Sequence, residues 1–167
     1  ANLEAQDEDQ RTPLHLVAGS LVELGRQAAE RAEAVVRALV TAGANLEAQD
    51  KDQYTPLHLA AKRRSGVVFR VLVAAGANLE ARDQDQNTPL HLAAEKGHEA
   101  AVQALIAAGA NLDARDIQQN TPLHLAAYFW AEAALHALVA AGANMEAQGY
   151  NQRTPLHLAA GEGKEAE

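Results

Sequence analysis

Residues 88–120 read TPLHLAAEKGHEAAVQALIAAGANLDARDIQQN, and the four letters that open this stretch recur four times elsewhere in the chain. TPLH begins at Thr12, Thr55, Thr88, Thr121 and Thr154, with successive offsets of 43, 33, 33 and 33 residues. A fixed period of that size signals a repeat array. The agreement extends through nearly the whole period: AAGANLEARDQDQNTPLHLAA, ahead of Glu95, returns as AAGANLDARDIQQNTPLHLAA ahead of Tyr128.

Within residues 88–120 the local signals describe a helical hairpin. The Thr88 hydroxyl suits an N-cap, and Pro89 suits the first helical position, where its missing N–H is not needed. A short helix therefore starts at Pro89, and Gly97 offers a left-handed stop about two turns later. A second helix from about Glu99 puts Val102, Leu105 and Ile106 on one stripe, and Gly109 ends it in the same way. The remainder, ANLDARDIQQN, is polar and rich in Asn and Asp, as an extended turn leading to the next unit should be.

Composition agrees with stacked thin layers. Apolar residues make up 48% of the 167-residue chain. Much of that fraction is alanine, which fills little volume but lets helices approach closely. A net charge of −8 argues against nucleic acid or an anionic membrane as partner. The basic run Lys62, Arg63, Arg64 is too short to reverse that reading. With no cysteine there is no disulfide framework, no thiolate zinc ligand and no thiol nucleophile, and the redox compartment stays open. No apolar run approaches the twenty residues of a membrane span, and no charged-then-apolar leader opens the sequence.

The five TPLH copies and the 33-residue period resemble the ankyrin-repeat family, whose signature is T-P-L-H-x-A. The resemblance covers essentially the whole chain. It implies an all-α solenoid of stacked helix-turn-helix units with β-hairpin-like fingers projecting from one end. On that reading residues 1–11 are the finger of a preceding unit. Residues 12–54 are a unit with a ten-residue inter-helix insertion, 55–87, 88–120 and 121–153 are regular units, and 154–167 are a truncated one. Both ends then fall inside a repeat. The expectation is further sequence beyond Ala1 and Glu167 or end-to-end association of chains, because an uncapped flank is apolar.

Two positions depart from the family pattern. Gln10, Gln53, Gln86, Gln119 and Gln152 stand where the family places a turn glycine. Gln enters the positive-φ region less readily than Gly, so a different turn is expected at the finger tip. Glu47, Glu80, Asp113 and Glu146 stand where the family has asparagine, leaving asparagine hydroxylation, known in some members, nothing to act on there.

The residues that most invite catalytic or metal chemistry read as structural. His15, His58, His91, His124 and His157 all belong to TPLH, and units stacked at helix-packing distance, roughly 8–10 Å, hold them too far apart to share an ion. In similar repeats this histidine bonds backbone and the nearby Thr. His98 and His136 read as surface or capping residues. The finger carboxylates Asp7, Glu8, Asp9, Asp50, Asp52, Asp83 and Asp85 repeat because the finger repeats, and an exposed finger lacks the apolar setting that raises a catalytic pKa. No phosphate loop, GxSxG or HExxH occurs. No catalytic residue, metal site or cofactor is expected.

Where the units differ from one another, a partner has room to be recognised. The turn after the first helix reads KRRS from Lys62, EKGH from Glu95 and YFWA from Tyr128. The finger tips read EDQR, KDQY, QDQN, IQQN and YNQR. In arrays that this chain resembles, these positions face a concave groove. Five of the six aromatic residues fall on them, while Phe69 sits at a second-helix core position. The candidate partner-binding residues are therefore Tyr54, Lys62, Arg63, Ile117, Tyr128, Phe129, Trp130, Tyr150 and Arg153. Ile117, Tyr128, Phe129, Trp130 and Tyr150 are expected to form one apolar patch. For Phe129 and Trp130 a second reading stands, in which they fold back over the hairpin and seal it.

The insertion lies in GSLVELGRQAAERA, residues 19–32. Its composition predicts that the first helix continues through SLVELG until Gly25 and that the second helix is also longer, with Leu21 and Leu24 packing on Ala28, Ala29 and Ala32. It is either a protruding hairpin that enlarges the binding face or a tolerated loop insertion. The function expected is non-catalytic binding of a protein partner. Two origins fit, an engineered or selected binder and a natural scaffold segment, cytoplasmic if natural. The regulatory arm of a larger enzyme or channel and a self-associating structural array are the competing classes.

Overall fold

A computed structural model describes residues 2–20, 26–63 and 66–161. The helices are α1 (Pro13–Ala18), α2 (Arg26–Thr41), α3 (Pro56–Lys62), α4 (Gly66–Ala74), α5 (Pro89–Glu95), α6 (Glu99–Ala107), α7 (Pro122–Tyr128), α8 (Glu132–Ala140) and α9 (Pro155–Gly161). There is no strand among the described residues. The first helices α1, α3, α5, α7 and α9 pack one against the next, as do the second helices α2, α4, α6 and α8, and α1, α3, α5 and α7 each pair with their own second helix. This is an all-α solenoid.

The layers close on small residues. Ala60, Ala61, Ala93, Ala94, Ala126 and Ala127 are buried in the first-helix layer, where a larger side chain would force the helices apart. Leu14, Leu57, Leu90 and Leu123, the leucines of the first four TPLH copies, are fully buried beside Phe69, Leu72, Leu105 and Leu138 of the second helices. The core thus runs continuously along the array.

Helix starts follow the capping chemistry. Thr12, Thr55, Thr88 and Thr121 hold extended backbone immediately before the helical proline. Helix ends depart from expectation in the first unit. α1 ends at Ala18, and beyond it the Ser20 hydroxyl donates to the Val17 carbonyl at 2.7 Å. The expected stop at Gly25 and the packing of Leu21 and Leu24 lie outside the described residues. The second helix is longer, as its composition suggests: α2 has 16 residues against nine in α4, α6 and α8.

The finger tips correct the expectation of a different turn. Gln10, Gln53, Gln86 and Gln119 all occupy the left-handed region, at φ of 61 to 67°. An aspartate makes this possible. Asp7, Asp50, Asp83 and Asp116 each accept two backbone N–H groups through Oδ1, at 2.8 to 3.0 Å, one from two residues on and one from four residues on. These bonds clamp the tip into the one shape that puts Gln at positive φ. Successive fingers are tied by backbone bonds from Lys51 to Asp9, Gln84 to Asp52 and Ile117 to Asp85. They are also tied by acids: Glu4, Glu47, Glu80 and Asp113 accept the backbone N–H of Asn45, Asn78, Asn111 and Asn144 in the following unit. That is the work of the Glu at the family's asparagine position.

Candidate protein-binding surface

The TPLH histidines are structural. In every copy the Thr backbone N–H and hydroxyl converge on the histidine Nδ1, at 3.1 to 3.2 Å and 2.7 to 2.9 Å. Nδ1 is therefore the acceptor, and the proton sits on Nε2. Nε2 of His15, His58, His91 and His124 donates to the carbonyls of Tyr54, Asn87, Asn120 and Arg153 in the next finger, at 2.9 to 3.1 Å. Burial holds His58 and His124 below the ordinary imidazole pKa and pushes His91 down to about 4. Neutral rings committed at both nitrogens are unsuited to proton transfer. Of the other two, His98 reaches back to the Ala61 carbonyl at the end of α3, and His136 is exposed. Among the described residues no group of three His, Asp or Glu side chains is placed to hold a metal ion, and no helix is long and apolar enough to cross a membrane.

The aromatic residues stand differently. Tyr128 closes α7 and Phe129 caps it, and their rings meet edge-on at 4.9 Å. They remain 45% and 49% exposed, so neither is folded into the hairpin. Trp130 is exposed too and holds φ +54°, the conformation that Gly97 supplies in the preceding unit at φ +63°.

Beside them lies a hollow of about 610 Å³, lined by Tyr128 and Phe129 from α7, Leu125 and Leu158 from the first-helix layer, and Gln118, Asn120, Tyr150, Asn151 and Arg153 from two fingers. Of the five residues expected in one apolar patch, Tyr128, Phe129 and Tyr150 are brought together here. Ile117 and Trp130 are exposed but lie outside the lining. Tyr54 is elsewhere and already engaged: its hydroxyl accepts from Lys62 Nζ at 3.2 Å, and its ring lies beside His58. Arg63 lines a separate small hollow with Arg11, Leu16 and Leu59, on the same first-helix face at the other end of the array.

The fifth finger explains the large hollow. Gly149 stands in the register of Asp7, Asp50, Asp83 and Asp116, so the clamping carboxylate is gone. Asn151 and Gln152 both take positive φ, at 53 and 58°, and the tip folds as a tight turn closed by an Arg153-to-Tyr150 bond. The Tyr150 N–H, which by register would join the preceding finger's backbone, donates instead to Asn120 Oδ1 at 3.1 Å. A Cβ on Gly149 would lie 2.5 Å from that same oxygen and 2.8 Å from His124 Nε2, so the glycine is what lets this finger sit so close to α7. Sequence reasoning had the tip residues but not this replacement, whose signal was visible as the one break in the column of aspartates.

Two family profiles match the chain: the one described as ankyrin repeats in three copies over residues 25–116, and the one described as ankyrin repeat over residues 118–150. No curated protein gives a significant match. Ankyrin repeats are in general protein-interaction modules and typically carry no catalysis of their own. With its repeating TPLH caps, its stacked helical hairpins and profile matches over most of its length, the chain belongs to the ankyrin-repeat family.

Proposed function

We propose that this chain is a non-catalytic module that binds a protein partner through its groove face, with the hollow of units four and five at the centre of contact. Tyr128, Phe129, Tyr150 and Arg153 make the central contacts, Ile117 and Trp130 flank them, and Tyr54, Lys62 and Arg63 extend the contact toward the other end of the array. One observation carries the reading. Tyr128 and Phe129 are about half exposed at positions that hold Glu95 and Lys96 in unit three and Lys62 and Arg63 in unit two. The same backbone accepts charge there, so the aromatic pair is not required for folding, and tyrosine and its aromatic neighbours are the residues that most often anchor interfaces. The near-identity of the units outside these positions supports a selected or engineered binder over a natural scaffold segment.

The test separates anchoring from packing. Proteins captured from lysate by the wild type are compared with those captured by Tyr128→Ala and Phe129→Ala, and the identified partner is titrated against each. Affinity is expected to fall by about 2 kcal/mol or more, with melting temperature nearly unchanged. A large drop in melting temperature with intact affinity at low temperature overturns the reading.

A further inference from the structure

We propose that the hollow of units four and five recognises an acidic peptide segment, seating a bulky apolar side chain between Tyr128, Phe129 and Tyr150 and pairing a carboxylate with the Arg153 guanidinium. This deepens the preceding reading and rests on it.

Charge carries the argument. The chain bears a net −8, yet among the described residues Arg153 is the one charged side chain in the lining of the hollow. Elsewhere finger cations are answered from within. Arg11, the equivalent of Arg153 in the first finger, pairs with Asp9 at 3.1 Å, and Lys51 pairs with the same carboxylate. Arg82 and Arg115 donate to finger carbonyls. In the fifth finger both acids of the register are missing, since Gly149 replaces the position of Asp7 and Asn151 that of Asp9. Asp116, on the neighbouring finger, is committed to the N–H groups of Gln118 and Asn120. Among the described residues the Arg153 side chain therefore has neither an ion pair nor a hydrogen-bond acceptor, at the rim of an apolar hollow in an otherwise acidic molecule. A planar guanidinium so placed suits a carboxylate.

The backbone argues for a peptide over a free acid. The carbonyls of Asp9, Asp52 and Asp85 each accept an N–H from the next finger. The corresponding carbonyl of Gln118 accepts none among the described residues, because Tyr150 has turned to Asn120. A peptide N–H fits that acceptor, and the volume is that of a ligand-sized cleft.

The experiment is selection of a displayed library of random decapeptides on the immobilised wild type and on Arg153→Glu, with melting curves showing that both are equally folded. On the wild type, sequences pairing Asp or Glu with a neighbouring Leu, Ile, Phe, Tyr or Trp are expected to enrich. A synthetic peptide of that consensus should bind at least tenfold more tightly than its Lys-substituted counterpart, and Arg153→Glu should abolish or reverse the preference. Absence of acid enrichment, a preference unchanged by Arg153→Glu, or failure of any selected peptide to bind in solution each overturns the inference. A lysate partner that depends on Tyr128 and Phe129 but not on charge would leave the broader binding function standing while this inference falls.

Discussion

Trp130 holds a left-handed backbone with a bulky side chain, at a site where the preceding unit has glycine. For an L-residue that conformation costs about 1–2 kcal/mol, and little of the side chain is buried in return. Glycine is free of the strain but loses more entropy on folding. Trp130→Gly is therefore expected to raise stability by about 0.5–1 kcal/mol, read as a higher denaturant midpoint at unchanged slope; a destabilised variant would show that the indole packs after all. The TPLH histidines make the opposite case at this scale. The resemblance to ankyrin repeats already implied their backbone and Thr partners. Their Nε2 partners, 29 or 39 residues away, follow only from stacking.

At the level of elements, these histidines bolt each first helix to the next finger, and the bond depends on neutral rings. Burial lowers the folded pKa of His58, His91 and His124, with His91 brought to about 4. Between pH 4 and 6.5 the unfolded chain then binds protons that the folded chain does not, so stability present at neutral pH is lost as pH falls through that window. His91 alone contributes a loss on the order of 3 kcal/mol. Asp116, raised by burial, acts in the opposite sense and offsets part of it. Urea unfolding at pH 7 and pH 5 should show a lower midpoint at pH 5, and His91→Gln should flatten the difference. The fifth finger offers a second test of an element. Gly149→Ala forces a Cβ against Asn120 and the buried His124 ring, and is expected to cost about 1–3 kcal/mol in thermal or denaturant melts. An unchanged melting point would mean that this finger moves freely away from α7.

Across the whole molecule, identical motifs differ in worth according to what is stacked upon them. Leu123 and Leu156 occupy the same place in TPLH, yet the first is 1% exposed between neighbouring layers and the second 75% exposed on α9. Leu123→Ala should cost about 2–5 kcal/mol, whereas Leu156→Ala should stay within about 0.5 kcal/mol. Equal effects in paired denaturant titrations would imply that something covers α9 in solution.

Read alone, the sequence establishes the period, the helix starts at Thr-Pro, the helical hairpin of the unit and the set of tip and turn positions free to vary. All of these rest on short-range chemistry, capping and periodicity, that a repeat writes out several times over. It did not determine that Gln would hold the left-handed turn, because the aspartate clamp acts through hydrogen-bond geometry that composition does not display. Nor did it determine which of the varied residues meet. Tyr128, Phe129, Tyr150 and Arg153 surround one hollow, while Ile117 and Trp130 stand apart and Tyr54 is taken up by Lys62. Those groupings were decided by the tertiary structure, because the distance between residues of successive units is set by stacking and by the displacement of a single finger around Gly149.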